Sequence, residues 1–257
     1  MTPIYLCSRS RFDIFDPKAK SSTWNSIKGL GKKIYIVVNN DQYLQYKLSA
    51  KKHKQAGFEF MTVEPKGLTY KRSKVAEHAL KKGYTKLITR DDDLKFFTRA
   101  SQEKLKMSTK KDMLDMINQV EKDLDTCSQV GLSMRLGNNR YEGDFAEFGR
   151  ISRFIGYKVE PYNKVEHRMR MMQDFDINLQ MLKMGLKSKI WYRWAHDDRT
   201  NAKGGCSDYR TVKSQGECAE ELARLHPDVV QVVQKNNLGA YGKRKDVRVQ
   251  WKKAKKG

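Results

Sequence analysis

Three consecutive carboxylates, Asp91-Asp92-Asp93, follow the apolar run Leu87-Ile88-Thr89 and precede Leu94, Phe96 and Phe97. Such a run reads as a short buried strand that ends in acids at its C-terminal edge. Carboxylates crowded together repel one another unless they share a cation. Hard divalent ions such as Mg²⁺ and Mn²⁺ take oxygen ligands and bridge protein acids to phosphates. The chain carries a formal net charge of +22, so this acidic cluster stands apart from its surroundings. The plainer alternative is an exposed acidic turn that caps a helix.

Other residues with chemistry to offer follow a fixed order. Gly67-Leu-Thr-Tyr-Lys-Arg-Ser73 precedes the acidic strand, and Gln173-Asp174-Phe175-Asp176 opens a later helix. His196 closes a later strand. Asn201 to Arg210 is a loop in which Gly204-Gly205 would let backbone amides approach a phosphate, with Lys203 and Arg210 beside them. The four cysteines, Cys7, Cys127, Cys206 and Cys218, show no CxxC spacing and no histidine cluster, which argues for reduced thiols. Gly131, Gly137 and Gly143 form neither a phosphate loop nor a dinucleotide fingerprint.

The elements that must position these residues alternate in type. Ile4–Cys7, 32–40 and 58–63 read as strands, with a helix from Asp41 to about Gly57 and an amphipathic helix over 73–82 ended by Gly83. The strand that feeds the triple Asp comes next. Further on, 111–127 and 176–184 read as helices, and 130–134, 150–159 and 189–194 as strands. This alternation predicts a single α/β domain with a mostly parallel central sheet, flanking helices and a site at the carboxyl ends of the strands.

With 257 residues, 39% of them hydrophobic and 32% charged, the chain has ample core for a soluble domain. No apolar run approaches the roughly 20 residues that span a bilayer, and Arg9, Arg11 and Asp13 interrupt the N-terminal stretch. A cytoplasmic protein with no membrane association and no obligate protein partner is expected. The basic excess favours polyanionic partners through counterion release. It thickens over 242–257, which holds eight basic residues and one acid. We therefore divide the chain into a domain over 1–241 and a basic tail over 242–257. The alternation of Val247, Val249 and Trp251 would let part of the tail dock as a strand or stack on a base.

The order of these features resembles the GT-A (Rossmann-like) class of nucleotide-sugar glycosyltransferases across roughly residues 4–227. The loop with Gly204-Gly205-Cys206 resembles the phage TET-associated glycosyltransferases, small GT-A enzymes proposed to decorate hydroxymethylated pyrimidines in DNA. The resemblance implies a nucleotide-sugar donor, a UDP-sugar above others, with Mn²⁺ or Mg²⁺. It implies metal ligation by Asp93 and by Asp91, the latter on the ion or the donor ribose, with His196 as a further ligand or an exposed loop residue. Asp91 and Asp93 would share one face of an extended backbone while Asp92 points elsewhere. Arg72, Asp91, Asp92, Lys203, Gly204 and Gly205 become candidate donor contacts, Arg72 standing otherwise as a surface charge. Asp174 becomes the candidate base, with Asp176 orienting it or capping the helix. Gln173 stands where the class commonly has Glu.

The expected activity is sugar transfer to the hydroxyl of a hydroxymethylated pyrimidine in phage DNA, within the host cytoplasm. A flipped base could stack on Trp191, Tyr192, Trp194, Tyr141 or Phe145. Three other readings compete: the same chemistry on a glycan, lipid or protein acceptor; a two-metal nuclease built on the Asp cluster; and a non-enzymatic nucleic-acid-binding protein.

Overall fold

The computed structural model describes residues 1–19, 22–198, 210–236 and 242–255. Four strands follow in succession: β1 (Ile4–Cys7), β2 (Ile34–Asn39), β3 (Glu59–Val63) and β4 (Lys86–Asp91). Ile4 and Leu6 of β1 pack into one apolar core and Tyr5 and Cys7 into another on the opposite face. A strand buried on both faces must read as a continuous apolar run, as Ile4–Cys7 does.

The remaining strands of the main sheet are β5 (Lys95–Ser101), β6 (Lys104–Met107), β7 (Gln129–Met134), β8 (Phe145–Ala146), β9 (Phe154–Lys158) and β10 (Ser188–Asp197). The order across the sheet is β3-β2-β1-β4-β9-β7-β10-β5-β6, with β8 against β10. β1 to β4 pair in parallel, as do β7 and β10, whereas β9, β5 and β8 run antiparallel to their neighbours. The sheet is thus mostly parallel, with the carboxyl ends of β1, β2 and β4 along one edge.

Helices cover both faces. α1 (Thr23–Ile27), α2 (Tyr43–Lys52) and α4 (Lys110–Asp123) pack on one side through Trp24, Tyr46 and Ile117. α3 (Leu68–Lys81), α5 (Val159–Lys164) and α6 (Gln173–Lys183) pack on the other through Val75, Tyr162 and Ile177. α4 starts in a capping box in which Thr109 and Asp112 satisfy each other's backbone amides. Gly131 of β7 has no side chain because Ile151 occupies the space a Cβ would take. That close approach seats the 150–153 segment beneath the sheet edge.

A third, smaller core lies beyond α6. There α7 (Val212–Leu225), the antiparallel hairpin of β11 (Val230–Lys235) and β12 (Arg244–Val249), and the short α8 (Trp251–Ala254) bury Leu222, Val230, Val247 and Ala254 against Leu179 and Leu182 of α6. Much of 242–257 is therefore strand and helix. No helix among the described residues is long and apolar enough to cross a membrane.

Candidate functional site

A cavity of about 540 Å³ opens where β1, β2 and β4 end. Cys7, Asn39 and Asp91, the last residues of those strands, line it together with Gly67, Lys71 and Arg72 at the start of α3. The opposite wall comes from Arg150, Ser152 and Arg153, the turn into α6, and residues between 210 and 235 and between 244 and 251. A crevice at the carboxyl ends of parallel strands is the usual ligand position in open α/β sheets.

The triple Asp enters this cavity differently from a continuing strand. The extended geometry stops at Asp91, and Asp92 and Asp93 form a turn. The alternation of faces expected for Asp91 and Asp93 therefore does not apply, because it requires backbone that stays extended. Asp92 and Asp93 instead share one guanidinium. Arg11, in the loop after β1, donates from Nη1 to Asp92 and sits 3.0 Å from Asp93 Oδ2. Asp92 also accepts from the hydroxyl of Ser8, which contacts the Tyr46 hydroxyl at 2.6 Å. Thr23 fixes the turn by donating to the Asp91 carbonyl at 2.8 Å and accepting from the Leu94 amide at 2.8 Å.

Asp91 belongs to a second cluster. Arg72 Nη2 lies 3.3 Å from Asp91 Oδ1, while its Nη1 pairs with Asp174 and donates to Gln173 Oε1 at 3.2 Å. Arg72 is 5% exposed, so it is a brace between two carboxylates and not a free surface charge. Lys71, equally buried, donates to the Ser8 carbonyl at 2.6 Å and holds the start of the Arg11 loop against the sheet edge.

Crowding shows in the acidities. Burial first, then Asp92, pushes the Asp93 carboxyl up to about 7 against the pull of Arg11, with Asp91 and Asp198 adding to the rise. Burial also raises Asp91, opposed by Arg72. Acids held above their ordinary range will ionise readily only when more positive charge arrives. Asp91, Asp93 and Asp198 all line the cavity, and oxygen donors of this type suit a divalent ion that also takes phosphate oxygens. Among the described residues no group of three potential ligands is already gathered around a point.

The other expected site residues are placed as follows. Asp174 lines the cavity in the first turn of α6 and keeps 20% of its side chain exposed. Asp176 is 1% exposed and points away, into Arg168 at 3.1 Å, His226 at 2.8 Å and Gln180 at 3.0 Å. Burial opposes its ionisation, but the hydrogen bonds from His226 and Arg168 win and hold it below the usual carboxylate range. His196 is fully buried within β10, between Met134 and Phe96 in the neighbouring strands, and does not line the cavity. Asp198, two residues on, does. Lys203, Gly204 and Gly205 lie outside the described residues.

Most of the other lining cations, Arg210 apart, carried no local signal in the sequence. Arg9, Arg11 and Lys71 add charge to one wall, and Arg150, Arg153, Arg170, Arg210, Lys235 and Arg244 to the other. With Arg72 these ten cations face six carboxylates, an imbalance suited to a diphosphate. Met172 (φ 57°) and Arg153 (φ 63°) both hold left-handed backbone at the cavity, a strain of about 1 kcal/mol or more each that is characteristic of functional sites. The aromatic residues considered for base stacking lie elsewhere. Trp191 donates to Asp123 at 2.7 Å, Tyr141 and Tyr192 stack on each other at 4.1 Å, and none of Tyr141, Phe145, Trp191, Tyr192 or Trp194 lines the cavity.

Comparison with known proteins agrees with this geometry. The fold is similar to that of a mannosyltransferase from Pyrobaculum calidifontis solved with GDP-Man and Mn²⁺, at TM-score 0.53 and 10% identity, covering 88% of this chain and 64% of that one. It is similar also to residues 1–349 of TarS from S. aureus solved with UDP-GlcNAc, at TM-score 0.51 and 11% identity, covering 87% and 66%. No curated protein matches the sequence. The family described as TET-Associated Glycosyltransferase matches residues 2–205. Sequence, fold and a cationic cavity edged with carboxylates thus converge: the chain belongs to the TET-associated glycosyltransferases and is a nucleotide-sugar glycosyltransferase of the GT-A type.

Proposed function

We propose that the protein moves a sugar from a nucleotide diphosphate sugar, a UDP-sugar first among them, to the hydroxyl of a hydroxymethylated pyrimidine in DNA, in the cytoplasm of the cell that holds that DNA. The observation that carries this reading is the cavity at the ends of β1, β2 and β4, where the triple Asp meets ten cationic side chains.

In this reading the diphosphate lies against Arg9, Arg11 and the start of α3, whose N-terminal backbone dipole favours an anion. Asp93 and Asp91, with Asp198 nearby, would hold a divalent ion, which when bound offsets charge on the leaving diphosphate. Asp174 accepts the proton of the acceptor hydroxyl. As it does so, the hydroxyl oxygen bonds to the anomeric carbon. The bond from that carbon to the diphosphate breaks, and its electron pair leaves with the diphosphate. Arg72 holds Asp174 at a fixed distance from Asp91, so base and leaving group keep their relation through the reaction.

The test is direct. Hydroxymethylated and plain DNA are incubated with a panel of nucleotide sugars and divalent ions, and the digested nucleosides are weighed by mass spectrometry. A hexose or pentose mass added only to the hydroxymethylated base supports the proposal. Donor turnover with glycan or protein acceptors and none with DNA would overturn the acceptor while leaving the enzyme class intact.

A further inference from the structure

The family match ends at residue 205, yet the cavity wall continues to Trp251. Arg210, Lys235, Arg244, Asp246 and Trp251 all line it, contributed by the entry to α7, by the hairpin and by α8. On the same wall the Phe175 ring of α6 stacks on Trp251, with centroids 5.9 Å apart and planes 22° from parallel. The Arg150 guanidinium lies 4.6 Å from the centre of Phe175. Both rings are only half-buried. Lys235 and Arg244 stand on paired positions of the hairpin, with Asp246 at 2.7 and 3.7 Å from them.

We infer that this C-terminal wall is the acceptor subsite, with Trp251, backed by Phe175, as the stacking surface for a nucleobase and Lys235 and Arg244 as contacts for the phosphates of the same DNA strand. The inference rests on the proposed DNA acceptor. Three observations carry it. These are the aromatic rings that line the cavity, Asp174 lies one residue before Phe175, and the basic pair lies on the same wall. Base stacking on an aromatic ring tolerates any base, and phosphate contacts fix the strand. The subsite so built takes a single-stranded or extruded nucleotide and leaves the choice of hydroxyl to the Asp174 end.

The wall is anchored on α6. Its apolar side packs on Leu179 and Leu182 of α6, and His226 at the end of α7 reaches Asp176, two residues past Asp174. An acceptor held by the hairpin is therefore held relative to the candidate base.

The test uses the full chain and a single-stranded oligodeoxynucleotide carrying one hydroxymethylated pyrimidine, with a matching strand that is abasic at that position. Trp251→Leu keeps apolar bulk but no aromatic face, and Trp251→Phe keeps a ring. We expect Trp251→Leu to raise the acceptor KM roughly tenfold or more and to erase the preference for the base over the abasic strand. Trp251→Phe should recover most of it, with donor affinity by calorimetry unmoved in both. Lys235→Gln with Arg244→Gln should lower the slope of log affinity against log salt by about one to two. Wild-type transfer to DNA with an unchanged acceptor KM in Trp251→Leu would overturn the subsite alone. Absence of transfer to DNA by the wild type, with the donor still bound, would overturn the DNA acceptor and the subsite with it. Loss of donor affinity in Trp251→Leu would assign this wall to the donor instead.

Discussion

A single guanidinium, that of Arg72, joins Asp91 at the end of β4 to Asp174 in the first turn of α6. The two carboxylates belong to different parts of the proposed chemistry, one beside the leaving group and one beside the acceptor. Their common cation makes the cavity one electrostatic unit.

Asp174 and Asp176 are therefore separable by substitution. Asp174→Asn keeps an oxygen for Arg72 but cannot take a proton. It should slow transfer by roughly a hundredfold or more and leave donor affinity near wild type. Asp176→Asn leaves Arg168 and His226 facing a neutral amide in a buried place, and should cost about 2–4 kcal/mol of stability. Steady-state kinetics and urea unfolding on both variants check the pair. Equal stability losses in the two would remove the distinction.

Asp93→Asn removes a buried charge that its neighbours already hold at high energy. Transfer should fall by roughly a hundredfold or more, and donor affinity should fall in Mn²⁺ yet not in metal-free buffer. Calorimetric titration of the nucleotide sugar with and without Mn²⁺ reads this. Full turnover of the variant in chelator would contradict it.

Arg11 is the internal counter-cation of the acidic turn. In Arg11→Gln, Asp92 and Asp93 keep their burial and lose the Arg11 cation, which should cost about 3 kcal/mol. Because a divalent ion can replace the missing charge, Mn²⁺ should raise the melting temperature of the variant more than that of the wild type. Equal gains in the two proteins would show that ion and guanidinium do not compete for the same acids.

His196 sets an acid limit. Burial first, then Arg153 and Arg150, push its ring down to about 3 from an ordinary 6.5, so the folded protein holds it neutral. The unfolded chain takes up the proton below pH 6.5, and the stabilisation present above that value is lost as pH falls toward 3. The slope should approach roughly 1.4 kcal/mol per pH unit from this residue alone. Urea midpoints at pH 7, 5 and 4 should fall steeply in the wild type and less so in His196→Gln. His167, lowered to about 4 by burial and by Arg72, will leave a residual slope.

What the sequence made legible was local. The parallel strands β1, β2 and β4 and the acids after Ile88 showed as apolar runs with punctuation, because a strand buried on both faces has little freedom of composition. α3 begins at Leu68 and not Ser73, since its first five residues include the buried Lys71 and Arg72 and so look like surface. β5 and β6 mix Phe96 and Phe97 with lysines and arginines and show no clean alternation. The partners of the triple Asp were out of reach: nothing near Arg11 announces that it will fold onto residues 92 and 93. His196 read as a strand end near a loop, and only the register with Phe96 and Met134 shows it sealed inside the sheet.

The attachment of α7, the hairpin and α8 through one small core, the Asp176–His226 contact and the Lys255–Glu147 ion pair has a dynamic consequence. Elements that share few contacts with the rest of a fold open as cooperative units well below the free energy of global unfolding. Amides of β11 and β12 should accordingly exchange with deuterium faster than those of β1 and β4. An opening of that unit would unroof one side of the cavity while the strand ends that carry the acids stay closed. In the proposed reaction, a glycosylated strand of DNA would then depart without the nucleotide half of the site coming apart.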